Sequence, residues 1–138
     1  MNTHRRHRTI AVTASAVLAV LTAPVVATLA AAPALANHGD VVRRGSCSGS
    51  TDWKLKASPE DGRIEVEAEV DSNHDGQSWR WRLRHNGSLS ARGTATTSGP
   101  SGSFEVRRVV VDAAGTDRLV FRARNPQTGE VCRDVLGY

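Results

Sequence analysis

Arg80, Arg82 and Arg84 stand at alternate positions in Gln77 to His85, a stretch that reads QSWRWRLRH. Arg122 and Arg124 repeat the spacing further along, interleaved with Phe121 and Ala123. A guanidinium is a permanently charged planar fork that grips a carboxylate or a phosphate through two parallel hydrogen bonds. A surface carrying all of these arginines would suit an acidic partner. The segment Asp71-Ser72-Asn73-His74-Asp75-Gly76 suggests a different chemistry. Oxygen-bearing side chains at Asp71, Asn73 and Asp75, with a glycine for the sharp turn, are how a calcium loop begins, because a hard cation gathers many oxygen ligands. An EF-hand would need a glutamate where Arg82 stands and helices on both sides, so that motif is excluded. A calcium site in a β-loop is the form left open, against the plainer reading that Asp, Ser, Asn and Gly make turns. Catalysis finds no support: His38, His74 and His85 are scattered, and no nucleophile stands in an elbow or triad context.

The elements that must position these residues are strands. Trp79, Trp81 and Leu83 alternate with the three arginines, and successive β side chains point to opposite faces, so the tryptophans belong to a core and the arginines to the surface. Arg63 to Asp71 alternates in the same way, with Ile64, Val66, Ala68 and Val70 against Glu65, Glu67 and Glu69. Upstream, Thr51 to Ser58 sets Trp53, Leu55 and Ala57 against Lys54 and Lys56, and Pro59-Glu60-Asp61-Gly62 supplies turn chemistry. A hairpin closed there pairs Trp53 with Ala68, Leu55 with Val66 and Ala57 with Ile64. It also sets Lys54 against Glu67 and Lys56 against Glu65.

Asn86-Gly87 is a strong two-residue hairpin signal, although the weak alternation of Ser88 to Thr97 prefers a longer loop, and the register there stays open. In Ser103 to Asp112 the apolar phase changes from Phe104 and Val106 to Val109 and Val111, which suggests a β-bulge at Arg107-Arg108. Asp117 to Asn125 and Val131 to Leu136 complete about seven short strands with no helical periodicity between them. Such a chain is an all-β, antiparallel sandwich or barrel.

The first 36 residues are expected to be a signal peptide. MNTHRRHR is basic, Thr9 to Ala30 is apolar, and Ala34-Leu35-Ala36 is an A-x-A cleavage site. Residues 37–46 then read as a flexible lead-in and 47–138 as the folded domain. Loss of Arg5, Arg6 and Arg8 with no acid lowers the formal charge from +4 to +1. That removes the footing for general nucleic-acid binding, and no membrane attachment is expected after cleavage. Export also places Cys47 and Cys132 in an oxidising compartment, where two cysteines in a small domain read as a disulfide.

Ala68, Trp81 and the run Leu119-Val120-Phe121-Arg122-Ala123-Arg124-Asn125 before Gly129 resemble the immunoglobulin-like and fibronectin-type sandwich. The chain also resembles small exported proteins of actinobacteria. It departs from the immunoglobulin pattern in holding Ala68 and Phe121 where antibody domains place cysteines, and Leu119 at the corner tyrosine. The resemblance implies that the glutamate and tryptophan strands lie in opposite sheets, with Arg80, Arg82 and Arg84 beside Arg122 and Arg124. A simple hairpin of those two strands would instead make a Glu–Arg ladder. The expectation is a secreted, non-catalytic binding or structural module, without a cofactor, recognising an acidic cell-envelope polymer or protein through its arginines. The alternative is a calcium-dependent carbohydrate-binding or adhesion module built on Asp71, Asn73 and Asp75.

Overall fold

A computed structural model describes residues 39–138, so the expected signal segment lies outside the described residues. Eight strands follow in order: β1 (Val41–Ser46), β2 (Asp52–Glu60), β3 (Arg63–Asp71), β4 (Ser78–His85), β5 (Ser88–Thr96), β6 (Ser103–Val111), β7 (Arg118–Arg124) and β8 (Val131–Gly137). They form two antiparallel four-stranded sheets, ordered β1-β2-β3-β6 and β5-β4-β7-β8. No helix among the described residues is long and apolar enough to cross a membrane.

Alternation explains the layering. Ile64, Val66, Ala68 and Val70 of β3 and Trp79, Trp81 and Leu83 of β4 are all buried, and the charged residues between them point away from the core. Leu119, Phe121 and Ala123 of β7 join them from the second sheet. The Trp79 and Phe104 rings meet across the two sheets at 6.4 Å between centroids.

The two open sides of the sandwich are closed differently. On the β1 and β8 side, Cys47 is bonded to Cys132, and Arg43 Nε donates to Asp134 Oδ2 at 2.8 Å. Asp134 points inward and is almost fully buried, so Arg43 neutralises a charge that would otherwise be costly. On the β5 and β6 side, the Arg108 guanidinium lies 5.0 Å over the Trp81 ring, a cation–π contact. The ring itself lies over Gly93, where a Cβ would come within 2.9 Å of Trp81 Cζ2.

Four expectations are corrected. Residues 41–46 of the supposed lead-in form β1, held by β2, with the Trp53 ring lying over Gly45. The first hairpin keeps its faces but slides by two residues: Trp53 pairs with Val70, Leu55 with Ala68 and Lys54 with Glu69. Its turn is only Asp61-Gly62, both with positive φ, because Pro59 and Glu60 continue the edge of the strand. β6 has no bulge. It pairs with β3 in one unbroken register, Arg108 takes the inward position, and Val109 and Val111 are exposed.

The open register of β5 resolves in favour of the two-residue turn, with Leu89 opposite Arg84 and exposed instead of beside His85 on the core face. Asn86-Gly87 makes the two-residue turn, with His85 opposite Ser88, and a bulge at Ser90 then sets Leu83 opposite Ala91.

The loop 72–77 is moored to the 97–102 segment. Ser72 donates through both its amide and its hydroxyl to the Gly102 carbonyl, at 3.1 and 2.9 Å. Gly102 has φ 61°, and a Cβ there would lie 2.3 Å from the His74 amide nitrogen. Gly102→Ala is therefore expected to cost about 2–3 kcal/mol. Gly99→Ala, with φ 79° but nothing within 4 Å, should cost only about 1 kcal/mol; urea midpoints of the two variants check the contrast.

Candidate binding face

Strand order decides what the arginines face. β3 lies between β2 and β6, and β4 lies between β5 and β7, so the hairpin that would pair Glu65, Glu67 and Glu69 with Arg80, Arg82 and Arg84 does not form. Those glutamates are satisfied within their own sheet. Lys54 Nζ meets Glu67 Oε1 and Glu69 Oε2, both at 2.8 Å, and Arg107 reaches Glu65, Glu67 and Glu105 at 3.5, 3.0 and 3.0 Å. The Lys54 hydrogen bond holds the Glu67 carboxyl below the usual carboxylate range.

The outer face of the other sheet has no such balance. β4 presents Arg80, Arg82 and Arg84; β7 presents Arg118, Arg122 and Arg124; β5 adds Arg92 and β8 adds Arg133. Arg80 stands directly opposite Arg124 and Arg82 opposite Arg122. The second pair extends on both sides, to Arg92 on β5 and Arg133 on β8, so four arginines run in one row across the whole sheet.

No acidic residue takes an outward position on these four strands, and none of the eight arginines enters a salt bridge among the described residues. Like charges directly opposite one another on a sheet are destabilising. A groove of about 700 Å³ runs between Arg80, Arg82, Arg84, Arg92, Arg122 and Arg124. Val120 is 8% exposed although it points outward, because the stems of the arginines around it cover it.

All five arginines singled out from the sequence thus share one face. Arg92, Arg118 and Arg133 were not among them. Arg118 was legible, since it keeps the phase of Arg122 and Arg124. Arg133 lies between Cys132 and Asp134, whose common inward direction only the core reveals.

Asp71, Asn73 and Asp75 lie elsewhere, at the end of β3 and in the following loop. Asp71 Oδ1 accepts from the Asn73 amide at 3.3 Å, closing a local turn, and Asn73 has φ 57°. Thr97 Oγ1 donates to the His74 carbonyl at 2.6 Å and accepts from the Gln77 amide at 2.9 Å. These bonds shape a turn. Among the described residues, no three His, Cys, Asp or Glu side chains are grouped so that they could hold a metal ion. Millimolar calcium is accordingly expected to leave the thermal midpoint unchanged, which a calorimetric scan with and without chelator checks.

His85 and Asp117 form the other notable polar cluster, at one end of the sandwich. Asp117 is fully buried and hydrogen-bonded to His85 Nε2. It also accepts from Asn86 Nδ2 at 2.7 Å and from the Ala113 amide at 3.0 Å. Burial pushes the Asp117 carboxyl up, but the hydrogen bonds from His85, the Ala113 amide and Asn86 together outweigh it and leave the group below its ordinary value. A depressed folded value means that the contribution to stability is complete above the unfolded pKa, about 4, and is lost as pH falls through the folded value. The stability difference between the wild type and Asp117→Asn should therefore be constant above about pH 5 and shrink below about pH 4, as urea titrations across that range would show.

Comparison with protein-family models, with curated proteins and with solved structures finds no match for this chain.

Proposed function

We propose that this chain is an exported, non-catalytic binding module of immunoglobulin-like type, whose arginine face recognises an acidic partner. The observation that carries the reading is the sheet face itself, eight outward arginines with no acid among them. The opposite face carries both signs of charge and ties Lys54, Glu65, Glu67, Glu69, Glu105 and Arg107 into local ion pairs, so the asymmetry is not a property of the composition as a whole. Charge left unpaired at a cost in stability is characteristic of a functional surface.

The immunoglobulin-like assignment is supported by the strand order β2-β3-β6 against β5-β4-β7-β8 and by the inward, buried Trp81 on β4. Export is supported by the basic and apolar N-terminal segment and by the Cys47–Cys132 bond. That bond also occupies both thiols, which removes them as nucleophiles.

Retention on an immobilised anionic polymer at low salt tests the proposal. The wild type should be held and then released by salt, and Arg82→Glu should elute at clearly lower salt. Equal elution of the two proteins would sink the reading.

A further inference from the structure

We infer that the partner is a linear phosphodiester polymer that offers no bases for stacking and lies across the strands along the row Arg92, Arg82, Arg122, Arg133. The inference rests on the reading of this face as a site for an acidic partner and adds the chemistry and the direction of that partner.

Direction follows from register. These four arginines occupy paired positions on four consecutive strands. Adjacent strands are about 4.8 Å apart, so the row covers roughly 14 Å in three equal steps. An anion repeated at short, regular intervals along a chain matches such a row. A peptide unit of three backbone bonds reaches about 3.5 Å, so a repeat of six bonds reaches about 7 Å and covers each step with slack.

Chemistry follows from the facing pairs. Arg82 and Arg122 stand directly opposite each other, as do Arg80 and Arg124, so an anion seated between the strands meets two forks at once. A phosphodiester has two non-bridging oxygens diverging from a tetrahedral centre and can accept from both. A carboxylate can also take a second fork on its outer lone pairs, but only if both guanidiniums share its one plane, whereas the tetrahedral phosphodiester lets two facing forks approach in different planes. The residue type agrees. The two lysines of the chain, Lys54 and Lys56, are on the other sheet, so this face is built from forks alone.

Base recognition has no seat. Single-stranded nucleic acids are held largely by bases stacked on aromatic rings, and Trp79, Trp81 and Phe121 all point into the core. The groove also borders on Leu89, Gly93, Thr94 and Trp81, but the Trp81 ring is packed against Gly93 and Arg108 and is only 6% exposed, so it offers no free face for a base.

The test uses the purified, oxidised protein and abasic phosphodiester oligomers of two to eight units. Oligogalacturonates and ordinary oligonucleotides of equal charge serve as comparisons. Affinity for the abasic oligomers should rise up to about three phosphates, one for each gap in the row, and then level off, with a salt slope of about −2 for three contacts. Arg82→Gln and Arg122→Gln should each weaken binding by about tenfold, whereas Arg118→Gln, outside the row, should change it less than about threefold. Circular dichroism of the variants separates lost binding from lost fold.

Oligogalacturonates that bind as tightly as the abasic oligomers would overturn the phosphodiester assignment and leave the acidic-partner reading intact. Oligonucleotides that bind far more tightly than abasic chains would overturn the exclusion of base stacking. Equal losses for Arg118→Gln and Arg82→Gln would overturn the direction. Failure of every polyanion to bind at low salt would remove the acidic-partner reading as well.

Discussion

Replacing Cys47 and Cys132 together by alanine is expected to destabilise the sandwich by about 4.5 kcal/mol. The two residues are 85 positions apart, so the bond closes nearly the whole described chain into one loop. Most of the effect acts on the unfolded chain, which gains freedom when the loop is opened. The folded side adds a smaller loss. Cys132 is fully buried and Cys47 packs against the same core, where the bond ties the end of β1 to β8 and so joins the two sheets. A domain of this size has about 5–15 kcal/mol of stability in all, and each kcal/mol corresponds to about 4–8 °C. The double variant should therefore melt roughly 20–35 °C lower, and a reduced wild type should behave like it. Calorimetry decides the matter; a shift under about 5 °C would mean that the staple contributes little.

Trp79→Ala should cost about 3–5 kcal/mol. Trp79 is fully buried, is the largest side chain in the core, and meets Phe104 across the sheets. Removing its ring takes away apolar contact and leaves a void that neighbouring β-strands, tied on both sides by their ladders, cannot collapse to fill. Trp79→Phe provides the informative contrast. The indole N–H of Trp79 has no acceptor among the described residues, and an unsatisfied buried donor costs about 1–3 kcal/mol. Phenylalanine gives up some buried area but also removes that donor. Its net cost should be near 1 kcal/mol or less, and denaturant midpoints of the two variants would separate ring volume from the orphaned group.

Much of this fold was legible because period-two alternation is a direct record of sheet faces. Trp79, Trp81 and Leu83 inward with Arg80, Arg82 and Arg84 outward needed no coordinates. Pairing is a different matter. A slip of two residues moves no side chain to the other face, so alternation alone could not distinguish Trp53 opposite Ala68 from Trp53 opposite Val70. Strand β1 was hidden because VVRRGS carries little alternation: its inward positions are Val41, Arg43 and Gly45, of which only Val41 is an apolar side chain, while Arg43 reaches Asp134 and Gly45 lies under the Trp53 ring. In β6, hydrophobicity pointed the wrong way. Arg108 holds an inward position by stacking on Trp81, while Val109 and Val111 are left on the outside, and neither could be read from residue type.

The candidate face was half legible for the same reason. The phase of each arginine could be read, but its neighbours depended on strand order. Only with β4 placed between β5 and β7 do Arg92, Arg82, Arg122 and Arg133 become one row. The calcium alternative was legible only as residue types, since those of a metal loop are also those of a turn, and Asp71 and Thr97 hydrogen-bond within that turn.

An arginine footprint tests the central claim most directly. The protein would be labelled with a guanidinium-selective reagent, with and without an excess of a phosphodiester polymer, and the modified positions read by mass spectrometry. Protection should centre on Arg80, Arg82, Arg92, Arg122, Arg124 and Arg133, while Arg44, Arg63 and Arg107 on the other sheet react as before. Protection spread evenly over both sheets, or confined to the other sheet, would contradict the account.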